Sequence, residues 1–304
     1  MQNIHLLCIV GATASGKTHL AVQLADVVQG EIISADSRQV YRGMNIGTGK
    51  DLNEYTLAGK QIPYHLIDIV DAGHHYNIYE YQRDFNLVYA DIISRGKTPI
   101  LCGGSGMYIE AVLNHNYRLD YVPLNDIFRK EAEKYSMDEL TAKLKSYKSL
   151  HNNTDILDRE RLVRALEIAM YYEQNPQMKT NVIANYKLFY LCFARSVLRE
   201  RIALRLEQRL NNGMIEEVKL LLTSGISTDE LFYYGLEYRF IAQYLIGEMD
   251  YETMKSKLLI AIGQFAKRQQ TWFDRMRRNG FTMIDIDGLL PDTQKLDMIL
   301  TEIH

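Results

Sequence analysis

Eight residues near the start of the chain, GATASGKT, carry the clearest chemistry. Gly11, Ala12, Thr13, Ala14, Ser15, Gly16, Lys17 and Thr18 fit G-x-x-x-x-G-K-[ST], the pattern of a phosphate-binding loop. The two glycines let the backbone curl so that successive N–H groups converge on one point. A helix starting near Lys17 would aim its positive dipole end at that point. The Lys17 ammonium would reach the terminal phosphates, and the Thr18 hydroxyl would hold a magnesium ion bridging them. A di- or triphosphate is therefore the expected ligand, with Mg2+ as its companion.

The next question is what the cradle is for. ATP-hydrolysing motors and switches usually carry an apolar strand that ends in an acid holding magnesium indirectly. Here the best such strand, TPILC, runs into GGSG, which favours a kinase or a transferase in which the cradle positions a leaving group. The acid instead comes early, at Asp36 in IISADSRQVYRG, about 18 residues beyond the loop. A carboxylate on the rim of the same crevice can accept a proton from an attacking nucleophile. It can equally cap a helix or stand behind a magnesium ligand, and the residues alone leave these roles open.

The elements that must position these groups alternate. Buried strands are expected at Ile4 to Val10, Glu31 to Ala35, Tyr64 to Val70, Pro99 to Cys102 and Lys187 to Phe193, with helical patterns between them and a weaker strand in FTMIDI. This alternation predicts an α/β fold whose core is a P-loop NTPase-like parallel sheet, with the ligand crevice at the carboxyl ends of the strands. The strand signal lapses from about 116 to 182, which predicts a helical lobe inserted between a first core part (1–115) and a core completion (183–304) that is largely helical.

Composition narrows the class further. Net charge is −3, yet residues 195–210 carry five arginines and two glutamates, and 251–278 carry seven Lys/Arg and two acids. Both stretches read as helices, so positive charge is gathered in the C-terminal half. Charge alone leaves solvated helix faces as the simpler explanation. Cys8, Cys102 and Cys192 lie inside apolar runs and read as free thiols in strands rather than as metal ligands. No apolar run reaches the roughly 18 residues of a membrane span, and the chain passes into its first strand without a charged leader, so a cytoplasmic, monomeric protein is expected. His65 reads as a packed strand-end histidine, and the 21 tyrosines mostly as core and surface filling.

Seven blocks, GATASGKT, ADSRQVYRGMNIGTGK, YHLIDIVD, GGSGMYIEAVL, DRERLVRALEI, RIALRLEQRLNNGMIEEVKLLL and AKRQQTWFDR, in this order and spacing, resemble the tRNA dimethylallyltransferase (tRNA isopentenyltransferase) family from about residue 5 to 275. The resemblance implies transfer of the dimethylallyl group of dimethylallyl diphosphate to N6 of the adenosine just 3′ of the anticodon, in tRNAs that read codons beginning with U. It implies that Gly11 to Thr18 cradle the diphosphate, that Thr18 holds Mg2+, and that Asp36 is the general base. Asp36, Ser37, Arg38 and Gln39 would meet the adenosine, and Arg201, supported by Arg205, would close over the diphosphate. Ser105, Asp158, Arg161, Leu162, Arg164, Lys267, Arg268, Gln269 and Trp272 match positions that contact the tRNA anticodon stem-loop. The sequence departs from the family pattern at Ser105 (commonly threonine), at Gly49 (usually alanine), in the YYGLEYR block and in LHNNTDILD, which lacks the customary His-Pro-Asn-Asp. The competing readings are a prenyltransferase of free adenine nucleotides, a small-metabolite P-loop kinase and a non-catalytic nucleotide sensor.

Overall fold

The computed structural model describes residues 5–114, 121–147, 154–176, 183 and 185–303. The strands are β1 (Leu6–Gly11), β2 (Gly30–Ala35), β3 (Thr56–Leu57), β4 (Lys60–Gln61), β5 (Tyr64–His65), β6 (Thr98–Gly103), β7 (Tyr186–Cys192) and β8 (Ile284–Asp287). The helices are α1 (Lys17–Val28), α2 (Ile78–Ser94), α3 (Gly106–Leu113), α4 (Asp126–Ala132), α5 (Met137–Tyr147), α6 (Arg159–Gln174), α7 (Arg195–Asn211), α8 (Met214–Thr223), α9 (Thr228–Tyr234), α10 (Leu236–Leu245), α11 (Tyr251–Arg278) and α12 (Asp292–Ile303). Six strands form one parallel sheet in the order β5-β2-β6-β1-β7-β8, while β3 and β4 make a separate antiparallel hairpin.

β1 and β2 are buried along their whole length, as strands of a parallel sheet covered on both faces must be, with Glu31 and Ser34 the polar residues of β2. One face packs against α1 and α12 through Leu20, Ala21, Leu24 and Ile299. The other carries the larger core, built with the C-terminal helices through Leu198, Ile202, Leu206, Leu258 and Phe273. Among the described residues no helix is long and apolar enough to cross a membrane.

The strand expected from Tyr64 to Val70 stops at His65, and Ile4 lies outside the described residues. Leu66 and Asp68 take left-handed φ angles of 60° and 56°, which no extended strand can hold. Beyond His65, the N–H groups of Asp68, Ile69 and Val70 donate instead to the Gln39 and Val40 carbonyls. An apolar run thus remains buried without remaining a strand. His65 Nε2 donates to the Glu31 carboxylate at 2.7 Å, a packing role away from the crevice.

The chain divides into two compact units, residues 1–117 with 181–304, and residues 118–180. The smaller unit buries Phe128, Leu140, Leu144, Leu162 and Leu166 among α4, α5 and α6. Glu167 sits inside it, where burial alone would raise its pKa, but Arg129 at 2.7 Å, the Asn125 N–H and Arg164 hold the carboxyl down at about 2. The LHNN portion of the departing block lies outside the described residues.

Candidate active site

The loop between β1 and α1 owes its shape to two left-handed residues. Gly16, at the N-cap of α1, has φ 83°, and Ala14 has φ 60°, a position where a Cβ is strained and glycine would be expected. Left-handed and right-handed residues in succession turn N–H groups inward, the geometry of an anion-binding nest. Ser15 Oγ is buried with no hydrogen-bond partner among the described residues. Lys17 is partly buried and its Nζ approaches the Ala12 carbonyl at 3.5 Å. Burial moves its pKa down from the usual lysine range, with Arg205 adding to the fall and Asp36 opposing it.

The α7 helix supplies the opposing charge. Its Leu198, Ile202, Leu206 and Leu210 face the core, which leaves Arg201, Arg205 and Arg209 one turn apart along an adjacent stripe. Arg201 Nε donates to the Ala14 carbonyl at 2.8 Å, and its guanidinium lies 4.9 Å from the centre of the Phe193 ring. Arg205 and Arg209 both pair with Asp51, the latter at 3.3 Å. Arg209 was not singled out from the sequence, although the i, i+4, i+8 spacing with Arg201 and Arg205 carries the signal. Burial lowers its pKa, and its Nε has no partner among the described residues.

Asp36 follows the last residue of β2. Its Oδ1 accepts the Arg38 N–H at 2.9 Å, which fixes the carboxylate at the start of a turn and leaves Oδ2 for other partners. The Ser105 hydroxyl accepts the Ser37 N–H at 3.2 Å and so joins the ends of β2 and β6. Gln39 is committed internally, accepting from the Ser34 hydroxyl and donating to the Gly49 carbonyl, each at 3.0 Å. The Arg38 guanidinium lies 5.0 Å over Tyr233, which itself stacks on His75.

A cavity of about 770 Å³ joins these groups, with Lys17, Thr18 and Arg201 on one side and Asp36 and Arg38 on another. Glu54 and Glu237 also line it and were not expected; burial raises both carboxyl pKa values. Cys102, the penultimate residue of β6, is a buried free thiol whose pKa burial pushes up to about 12. Among the described residues no cluster of three His, Cys, Asp or Glu side chains is fit to hold a metal. The Thr18 hydroxyl could hold a magnesium ion together with substrate phosphates, as this ion commonly binds, and the arginine stripe fits such phosphates.

The remaining expected contacts divide. Lys267 and Arg268 on α11 are exposed, and Arg268 borders the cavity. Gln269 points inward, however: its Oε1 accepts the Thr13 N–H at 2.8 Å and its Nε2 donates to the Gly104 carbonyl at 2.9 Å. It braces the cradle at the cavity wall. Trp272 lies against Gly106, where a Cβ would run into the indole, and donates to Glu110 at 3.1 Å. In the smaller unit, Asp158 caps α6 by accepting the Arg161 N–H at 2.9 Å and pairs with the Arg161 side chain at 3.1 Å, both residues exposed. Arg164 donates to the Val122 carbonyl at 2.6 Å and to Glu167 at 2.9 Å. Leu162 is fully buried, so the expectation that it touches tRNA is corrected: it packs the unit's core.

A parallel sheet that turns from its first strand into an amide-lined loop, faced by a basic helix and an acid at the end of β2, two strands away, defines a P-loop-like α/β transferase. A family model described as IPP transferase matches residues 39–277, and the chain belongs to that family. It is 50% identical over 300 residues to tRNA dimethylallyltransferase 2 of Bacteroides fragilis, covering 98% of each chain. It is 52% identical over 296 residues to tRNA dimethylallyltransferase 1 of Porphyromonas gingivalis, covering 97% of this chain and 98% of the other. The crystal structure of the tRNA isopentenylpyrophosphate transferase of Bacillus halodurans superposes with a TM-score of 0.71 at 33% identity, over 98% of this chain and 95% of that one. A eukaryotic dimethylallyltransferase acting on tRNA shares the fold, with a TM-score of 0.76 at 24% identity, over 92% and 73% of the two chains.

Proposed function

We propose that this chain is a tRNA dimethylallyltransferase, moving the dimethylallyl group of dimethylallyl diphosphate to N6 of the adenosine 3′-adjacent to the anticodon. The observation that carries the reading is the shared cavity: a phosphate cradle with Lys17 and Arg201 opens into the same space as the Asp36 carboxylate. In the step, the N6 nitrogen forms a bond to C1 of the dimethylallyl group, the bond from C1 to the diphosphate oxygen breaks, and diphosphate leaves with that electron pair. N6 is a poor nucleophile because its lone pair is delocalised into the ring, so it must lose its proton as the bond forms. Asp36, held by the Arg38 N–H, takes that proton. Arg201 and Lys17 stabilise the charge growing on the leaving diphosphate. Magnesium, held by Thr18 and the phosphates, would supply further neutralisation of the same charge.

The target base must leave its stack to reach the cavity, and loop nucleotides make that inexpensive. The exposed Lys267 and Arg268 suit backbone phosphates beside the cavity mouth. The reading is completed by action in the cytoplasm as a monomer. Asp36→Asn keeps the cradle but removes the proton acceptor, so turnover should fall by about 10²–10⁴ while diphosphate and tRNA binding persist. A fall of less than tenfold with binding unchanged would reduce Asp36 to a turn-forming residue.

A further inference from the structure

The segment from Gln39 to Asp51 forms a wall of the cavity through Gly47, Thr48 and Gly49, and ends at the carboxylate that holds Arg205 and Arg209. Its middle is gripped from outside the cavity. Glu217 on α8 accepts three consecutive backbone N–H groups, those of Asn45 and Ile46 on Oε2, each at 2.8 Å, and that of Gly47 on Oε1 at 3.0 Å. The Tyr238 hydroxyl of α10 donates to Oε1 at 2.7 Å. Consecutive N–H groups converging on one point make an anion-binding nest, and here a carboxylate of the chain itself fills it. On the inner side the fully buried Lys50 donates to the Tyr41 carbonyl at 2.6 Å and to the Asn45 side chain at 3.0 Å, and pairs with Asp68.

The connectivity gives this grip a direction. Glu217 follows Arg205 and Arg209 across a tight turn at Asn212 and Gly213, so α7 and α8 hold the segment at two points: guanidiniums at Asp51, a carboxylate at residues 45–47. We infer that Glu217 is a positioning residue that sets the segment, and through Asp51 the reach of Arg205 and Arg209 toward the phosphate cradle. This rests on the diphosphate reading above. Glu217 touches neither cradle nor cavity, so its effect travels through the backbone it holds.

The test uses the whole chain and dimethylallyl diphosphate with magnesium as the probe, followed by calorimetry, with tRNA affinity and melting temperature measured in parallel. Glu217→Gln keeps the shape but puts an NH2 where an acceptor is needed. Loss of charge-assisted bonds of this kind should translate into about tenfold weaker diphosphate binding, with tRNA affinity unchanged. Tyr238→Phe removes one donor to the carboxylate and should weaken diphosphate binding in the same direction by about threefold; it decides the matter if Glu217→Gln does not fold. In a cycle with Asp51→Asn the losses should fail to add, because both act through one segment. Diphosphate affinity equal to the parent's, or losses that add, would overturn the inference alone. A parent chain that binds no diphosphate would overturn the functional reading and this inference with it.

Discussion

Burial lowers the Lys17 pKa, so its ammonium gains most when an anion arrives in the cradle. Thr18 differs: its hydroxyl matters through coordination rather than charge. Thr18→Val, which keeps the shape and loses the ligand atom, should weaken diphosphate binding only when magnesium is present. Lys17→Ala should weaken it with or without the ion, by about 1–3 kcal/mol for a lost charge-assisted bond. Titration calorimetry with and without a chelator separates the two, and unchanged affinity in both variants would remove the cradle assignment. These residues were legible because their motif is local in sequence. Arg209 was legible only as a period along α7, and Leu162 was misread because a family position names a residue and not the direction its side chain takes. Glu237 had no signal, since its burial depends on the packing of α10 against elements distant in the chain.

At the scale of elements, α11 is the brace of the site. Gln269 ties the Thr13 N–H to the Gly104 carbonyl, so one side chain joins the β1 loop to the end of β6. Gln269→Leu would leave both backbone groups without that partner, and a stability loss of about 1–3 kcal/mol is expected, together with a raised KM for dimethylallyl diphosphate. Urea unfolding and steady-state kinetics check the two effects. A second brace lies at the far side of the sheet, where the Arg95 guanidinium, followed by His65, holds the Glu31 carboxyl down at about 2 against the opposing effect of burial. A carboxyl whose folded pKa lies below its unfolded 4.5 adds stability above that value, and the contribution disappears as pH falls toward 2. Glu31→Gln should therefore cost roughly 3 kcal/mol at pH 7, and the gap to the parent should shrink by more than half at pH 3. A gap independent of pH would show that the carboxylate charge is not what stabilises the pair. The alternation of strands and helices was readable from apolar periodicity. The stop after His65 was not, because the left-handed Leu66 and Asp68 accompany a pairing of the Asp68, Ile69 and Val70 N–H groups with residues 39–40, which are distant in the chain.

Across the whole molecule, the formal charge of −3 conceals a division of labour. Arg201, Arg205 and Arg209 of α7 line the cavity, while Lys267 and Arg268 of α11 remain exposed, Arg268 at its border. Summed charge reveals neither arrangement; the helical period and the core-facing stripe together do. The lapse in strand signal from about 116 to 182 carries no hint of the internal use of Arg164 on Glu167 and Val122. The central claim joins a small diphosphate at the cradle to a polynucleotide at the mouth. Incubating the chain with dimethylallyl diphosphate, magnesium and either tRNA or AMP, then digesting to nucleosides for mass spectrometry, tests both halves at once. N6-dimethylallyladenosine is expected from the tRNA reaction and none from AMP; prenylated AMP with unmodified tRNA, or no product from either, would overturn the assignment.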